Sequence, residues 1–190
     1  MVGLKRHSSS LLAAAFFLLA GICQAESPGL GVLNEKHPLP GVTTAGQPTP
    51  EQLAAAKAAG YKTVVDLRPA AEAPERGEAE QVGQLGMEYV NIPVAGPADL
   101  SEENARQLLA LLGDETKQPM LVHCGSSNRV GALIAVGRAK VDGKSPEEAL
   151  AAGQESGLST LEPAVRQILG LPPLSPAEPP AEPPAGKPGG

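Results

Sequence analysis

In the stretch Met120-Leu121-Val122-His123-Cys124-Gly125-Ser126-Ser127-Asn128-Arg129-Val130-Gly131-Ala132-Leu133, the apolar run Met120 to His123 reads as a buried strand. Val130 to Val141 reads as the helix that follows. The Gly/Ser turn between them joins a thiol to an arginine. A strand, a tight turn and a helix start in this order aim several backbone N–H groups and the positive end of a helix dipole at one point, so an anion is stabilised there. The same field favours a thiolate, and Cys124 is expected to be reactive near neutral pH. Arg129 keeps its charge at all relevant pH values, and its planar fork can hold two oxygens of a tetrahedral oxyanion. Ser126 and Ser127 are expected to add hydroxyl donors. His123, one residue earlier, is expected to point to the opposite side and to support the loop through hydrogen bonds.

Working outward, the flanking segments alternate. Thr49-Pro50-Glu51-Gln52 forms a capping box with proline at the first helical position, and Gly60 closes the alanine-rich helix it starts. Lys62 to Leu67 is a β-branched strand, Ala71 to Leu85 a charged helical stretch, and Met87 to Pro93 another strand. Ser101 caps a helix with Ala105, Leu108, Leu109 and Leu112 on one face, ended by Gly113. Ser145-Pro146-Glu147-Glu148 is a second capping box, and Ser159 to Gly170 carries Leu161, Val165, Ile168 and Leu169 at helical spacing. Strands alternating with helices predict an α/β fold: one three-layer domain, about residues 30–170, with a mostly parallel sheet and helices on both faces. Ligands in such sheets sit beyond the carboxyl ends of the strands. Cys124 lies at one of those ends.

The two termini read differently. Lys5 and Arg6 precede the apolar run Leu11 to Ile22, and Cys23-Gln24-Ala25 ends in a small residue, so residues 1–25 are expected to be a signal peptide cleaved after Ala25. The expected location is therefore periplasmic or secreted. A lipid anchor on Cys23 is the rival reading, disfavoured by the bulky Ile22 before it. The apolar run is too short to span a bilayer comfortably, and stable membrane insertion is not expected. Cleavage would remove two positive charges, Lys5 and Arg6, taking the net charge from −6 to −8. An acidic surface argues against nucleic acid or anionic membrane as a partner. Both Phe residues, Phe16 and Phe17, also lie in the leader and the chain has no Trp, so the core must come from Ala, Val, Leu and Ile. With Cys23 gone, Cys124 has no partner for a disulfide. From about residue 171 the chain runs PPLSPAEPPAEPPAGKPGG, a disordered, Pro-rich tail that cannot build a core.

Three segments in order, GVTTAGQPTPEQLAAAKAAGYKTVVDLRP, GMEYVNIPV and VHCGSSNRVGALIA, resemble the cysteine-dependent phosphatases of the dual-specificity, tyrosine-phosphatase-like fold. Within them they are most similar to the bacterial group called beta-lactamase-hydrolase-like phosphatases. The resemblance covers about Leu39 to Gly170. It implies that Cys124 attacks phosphorus to form a phosphocysteine that water hydrolyses. By the same resemblance Arg129 clamps the equatorial oxygens, the amides of Gly125, Ser126, Ser127 and Asn128 cradle them, and no metal or cofactor is needed. The substrate would be a phosphorylated small molecule or protein. The general acid of that family lies on the loop after the second strand, and Asp99 is the only acidic residue of the corresponding loop Val94 to Leu100. Asp66 and Arg68 in VVDLRP match the family pattern at a strand end, where structural roles are expected.

Four residues separate Cys124 from Arg129, where the larger phosphatase families have five. This spacing resembles the rhodanese loop, which suits a persulfide, so a sulfurtransferase is the alternative reading. A third is a non-catalytic, anion-binding or redox-responsive module built on the lone thiol.

Overall fold

A computed structural model describes residues 29–72 and 77–174; the expected signal peptide, Cys23 and most of the Pro-rich tail lie outside these residues. Among the described residues, five strands form one sheet: β1 (Lys36–Leu39), β2 (Val42–Ala45), β3 (Thr63–Asp66), β4 (Glu88–Asn91) and β5 (Met120–His123). Their spatial order is β1-β2-β5-β3-β4. β1 runs antiparallel to β2, and every other pairing is parallel. β5 is the central strand, with Ala45 of β2 and Asp66 of β3 each paired with His123 at its carboxyl end. Three strand ends thus converge beneath residue 124.

Six α-helices among the described residues cover the two faces: α1 (Pro50–Ala58), α2 (Gly77–Gln84), α3 (Glu102–Leu112), α4 (Asn128–Lys140), α5 (Pro146–Glu155) and α6 (Glu162–Leu169). Strand alternation sorts the core. Val64 and Leu121 pack with Leu53, Ala56 and Val82 from α1 and α2. Val65, Met120 and Val122 face the other way, among Leu108, Leu133, Ala149 and Val165 from α3 to α6. The expected three-layer arrangement, mostly parallel with helices on both faces, is the one found. Local chemistry starts the helices where the sequence places them. Both capping boxes are closed, Thr49 with Gln52 and Ser145 with Glu148, and Ser101 accepts from the Asn104 amide. Within the charged stretch Ala71 to Leu85, the described residues form a 3-10 turn, Ala70–Glu72, and helix α2, Gly77–Gln84.

Helix α4 is buried from Val130 through Gly137, so its neighbours must meet it backbone to backbone. A Cβ on Gly131 would overlap the Leu158 amide nitrogen and lie 2.5 Å from the Gly153 carbonyl oxygen; one on Gly153 would lie 2.7 Å from the Gly131 carbonyl oxygen. Neither obstacle is a flexible side-chain tip. Gly131→Ala should therefore destabilise the fold by about 3 kcal/mol, the upper end of overpacking costs. Urea unfolding measures this, and an unchanged midpoint would contradict the close packing of α4 on α5.

Candidate active site

The carboxyl end of β5 delivers Cys124 to the floor of the turn, with no exposed surface of its own. The turn is braced on every side. The His123 carbonyl accepts from the Leu67 amide at 2.8 Å, and the Gly125 carbonyl accepts from the Gln47 amide at 3.3 Å. Asn34 donates its side-chain amide to the Ser126 carbonyl at 3.0 Å. Asn128 donates to the Thr160 hydroxyl at 2.7 Å, and its Oδ1 accepts from the Ser159 and Leu161 amides. Asn128 therefore ties the turn to the α5–α6 connection. Among the described residues, the amides of Gly125, Ser126, Asn128 and Arg129 donate to no protein acceptor, as befits a turn that opens a helix.

Ser127 stands in the left-handed region at φ 70°, a conformation that costs a non-glycine residue about 1 kcal/mol or more. Its buried hydroxyl donates to the Ser156 carbonyl at 3.0 Å and locks the residue there. Gly157 makes room, because a Cβ at that position would collide with the Ser127 hydroxyl. The expectation that Ser127 offers its hydroxyl to an anion is thus corrected: that hydroxyl shapes the loop, while Ser126 remains exposed beside it.

Arg129 leans back over the cysteine. Its Nη1 donates to Glu72 Oε1 at 2.8 Å and to the Val94 carbonyl at 2.9 Å, and its Nη2 donates to Glu72 Oε2 at 2.6 Å. Burial acts to lower the guanidinium pKa, but the Glu72 carboxylate and the Cys124 sulfur outweigh it and the net shift is upward. Thiol and guanidinium thus form one electrostatic unit. The bond to Val94 also fixes the loop carrying Asp99 against Arg129. Asp99 Oδ2 accepts from the Ala95 amide at 2.8 Å, and its carbonyl accepts from Asn104 at 2.9 Å. That places Asp99 on the loop next to the arginine, with one carboxylate oxygen engaged in closing the turn.

Behind the loop lies a buried ionic network. Asp66 Oδ1 accepts from the Arg68 amide at 2.8 Å and Arg68 Nε at 2.9 Å; Oδ2 accepts from Arg68 Nη2 at 2.8 Å and from the Tyr89 hydroxyl at 2.9 Å. Arg68 Nη2 also reaches Glu78 Oε2 at 2.7 Å. His123 sets its Nε2 2.8 Å from Glu78 Oε1 but not aligned as a hydrogen bond. Its Nδ1 lies 3.4 Å from the Cys124 carbonyl oxygen, a weak contact. Asp66, Glu78 and His123 could group around a cation, yet Asp66 already accepts four hydrogen bonds and the Arg68 guanidinium fills the space between the carboxylates. The donor set is that of a charge network. Its expected structural role is the one its geometry serves.

A cleft of about 500 Å³ opens beside this site, lined in part by Gln47, Asp66, Arg68, Glu72, Glu78 and Asn91. Among the described lining residues, three carboxylates, Asp66, Glu72 and Glu78, stand against the one guanidinium of Arg68, which is 4 % exposed and ion-paired to Asp66 and Glu78, so the net charge of this lining is negative. The sequence reading missed Glu72, Glu78 and Asn34, which lie far along the chain from the residues they touch.

The fold and the site together define the dual-specificity, tyrosine-phosphatase-like class of α/β phosphatases. Residues 34–167 match the family described as a DSP-PTPase phosphatase fused to NAD+ kinase, and the chain belongs to this family. A relative, the beta-lactamase hydrolase-like protein of Agrobacterium fabrum strain C58, is 32% identical over 107 residues. That match covers 54% of this chain but only 24% of the relative. Among solved structures, the DUF442 protein of Shewanella putrefaciens CN-32 superposes with a TM-score of 0.58 at 25% identity, covering 74% of this chain and 91% of that one. P. aeruginosa TpbA, solved as a cysteine-to-serine variant in complex with phosphotyrosine, shares the fold at 22% identity and a TM-score of 0.51, covering 73% and 85% of the two chains.

Proposed function

We propose that the protein is an exported, cysteine-dependent phosphatase that hydrolyses a phosphate monoester through a phosphocysteine on Cys124. The observation that carries this reading is the pairing of a buried thiol on the loop floor with a guanidinium that Glu72 and Val94 hold beside the same loop. The Cys124 thiolate attacks phosphorus and an S–P bond forms as the ester P–O bond breaks. The leaving oxygen departs with the bonding electron pair and takes a proton from Asp99. Water then attacks the phosphocysteine, Asp99 takes up the water proton, and inorganic phosphate leaves with the thiolate restored. Through both steps Arg129 and the free loop amides hold the equatorial oxygens, where charge shifts in the transition state. The acidic cleft disfavours substrates with further anionic groups and suits a neutral or hydroxyl-bearing body.

The test is release of phosphate from p-nitrophenyl phosphate, with rapid quenching and mass measurement of the Cys124 peptide. A phosphoryl adduct during turnover is the expected result, and absence of phosphate release defeats the reading. The four-residue spacing between Cys124 and Arg129 favours one alternative, sulfur transfer. Incubation with thiosulfate would then leave one extra sulfur atom on Cys124, and no phosphate would be released. Export has its own measure: the mature chain should begin at Glu26.

Asp99 makes a separate prediction. Asp99→Asn should lower kcat/KM for phenyl phosphate, a poor leaving group, by about 100-fold, within the usual range for general acid catalysis. The kcat/KM for p-nitrophenyl phosphate, which reports only on formation of the phosphocysteine, should change little, because its leaving group needs no proton. Equal losses on both esters would remove Asp99 from the proton-transfer role.

A further inference from the structure

We propose that Glu72 is the positioning residue for Arg129, holding its guanidinium so that one edge is presented to the oxyanion. This inference rests on the reading of Arg129 as the oxyanion clamp. A guanidinium has five N–H donors. Both on Nη1 are taken, by Glu72 Oε1 and the Val94 carbonyl, and one on Nη2 is taken by Glu72 Oε2. The two that remain, Nε–H and the second Nη2–H, lie on one edge and point the same way. That edge is the one able to grip two oxygens at once. Its Nη2 end lies against the loop, where a Cβ on Gly125 would sit 3.4 Å from Nη2.

Glu72 is itself firmly mounted. It ends the 3-10 turn after Pro69, its amide donating to the Pro69 carbonyl at 3.0 Å. Arg68, just before this turn, is anchored in the buried network, and its carbonyl accepts from Asn91 at 3.0 Å. Orientation therefore passes from the sheet, through Arg68 and the turn, to the Glu72 carboxylate and the Arg129 fork.

An opposing effect must be weighed. The Glu72 charge repels an incoming dianion and offsets the attraction of Arg129. The Glu72 side chain is 43% exposed, so water screens that repulsion, whereas misplacing a clamp by about 1 Å costs about 100-fold in rate. Orientation should win.

Three proteins decide it: wild type, Glu72→Ala and Glu72→Gln. Turnover is read with p-nitrophenyl phosphate, and binding of tungstate, a tetrahedral oxyanion, by calorimetry. Glu72→Ala should lower kcat/KM by about 10- to 100-fold and weaken tungstate binding by about 10-fold, with unchanged stoichiometry. Glu72→Gln, which keeps one acceptor and loses the charge, should fall between wild type and Ala. Stoichiometry separates weakened sites from a misfolded fraction, which a merely structural role would produce. Tungstate binding as tight as wild type or tighter in both variants overturns the proposal, because the carboxylate would then act only as a competing charge. If wild type hydrolyses no phosphate ester but Glu72→Ala still weakens tungstate binding, the phosphatase reading fails and the positioning role stands. A wild-type protein that binds no tungstate refutes the clamp and its brace together.

Discussion

Cys124→Ser is expected to lower p-nitrophenyl phosphate turnover by about 10⁴- to 10⁶-fold, the scale on which removal of a covalent nucleophile is felt, while tungstate affinity stays within about threefold. The asymmetry follows from where the anion is held. Its oxygens are gripped by Arg129 and the loop amides, none of which is altered. Only the attacking atom changes. A serine hydroxyl is far less ionised than a thiol near neutral pH and is a weaker nucleophile, so the first step fails although the substrate is still bound. The near-isosteric change at a fully buried position should leave the loop intact, since the turn is held through Asn34, Gln47, Ser156 and Thr160 and not through the sulfur. Steady-state kinetics and calorimetry on the same sample provide both numbers. Full activity in the variant would mean that the thiol is not the nucleophile. Loss of tungstate binding in step with activity would mean that the substitution had disturbed the cradle.

Much of this site was legible because its parts are contiguous. Strand β5, the turn and α4 occupy one unbroken stretch, and the capping boxes at Thr49 and Ser145 mark helix starts within four residues. The hairpin of β1 and β2 was missed. β1 holds His37 and Pro38 and is an exposed edge, where proline is tolerated. β2 is only Val42-Thr43-Thr44-Ala45, and its burial depends on β5, far along the chain. Site partners were hidden for the same reason. Glu72 is one of several acidic residues in a stretch read as a charged helix, and the contact with Arg129 spans 57 residues. Nothing local distinguishes it from its neighbours. Ser127 looked like an oxyanion donor because only its backbone conformation and Ser156 show where its hydroxyl goes.

Asp66 offers the sharpest stability test, since it ends β3 beside His123 and organises the network on which Glu72 ultimately rests. Asp66→Asn should destabilise the protein by about 3–5 kcal/mol, the cost of breaking a buried ion pair from one side. The isosteric amide leaves Glu78 as the remaining carboxylate on Arg68 among the described residues and turns its own N–H donors toward Arg68 Nη2 or the Tyr89 hydroxyl. The wild-type protein should carry the corresponding pH signature. Burial acts to raise the Asp66 pKa, but the Arg68 hydrogen bonds, with help from His123, Tyr89 and the Arg68 amide, bring it below the ordinary value of 3.8. A carboxylate with a depressed folded-state pKa stabilises the native protein fully above its unfolded pKa. That contribution is lost as the pH falls from about 4 through the lower folded-state value. Urea unfolding between pH 7 and pH 2 should therefore show wild-type stability declining below about pH 4. Asp66→Asn should start lower and lack this part of the decline. Tyr89, whose pKa burial and the Asp66 carboxylate both push upward, stays neutral across this window and does not blur the result. A variant within about 1 kcal/mol of wild type at pH 7 would show that the pair is worth no more than a surface salt bridge. In that case the Arg68 side chain must be held by packing and by Glu78.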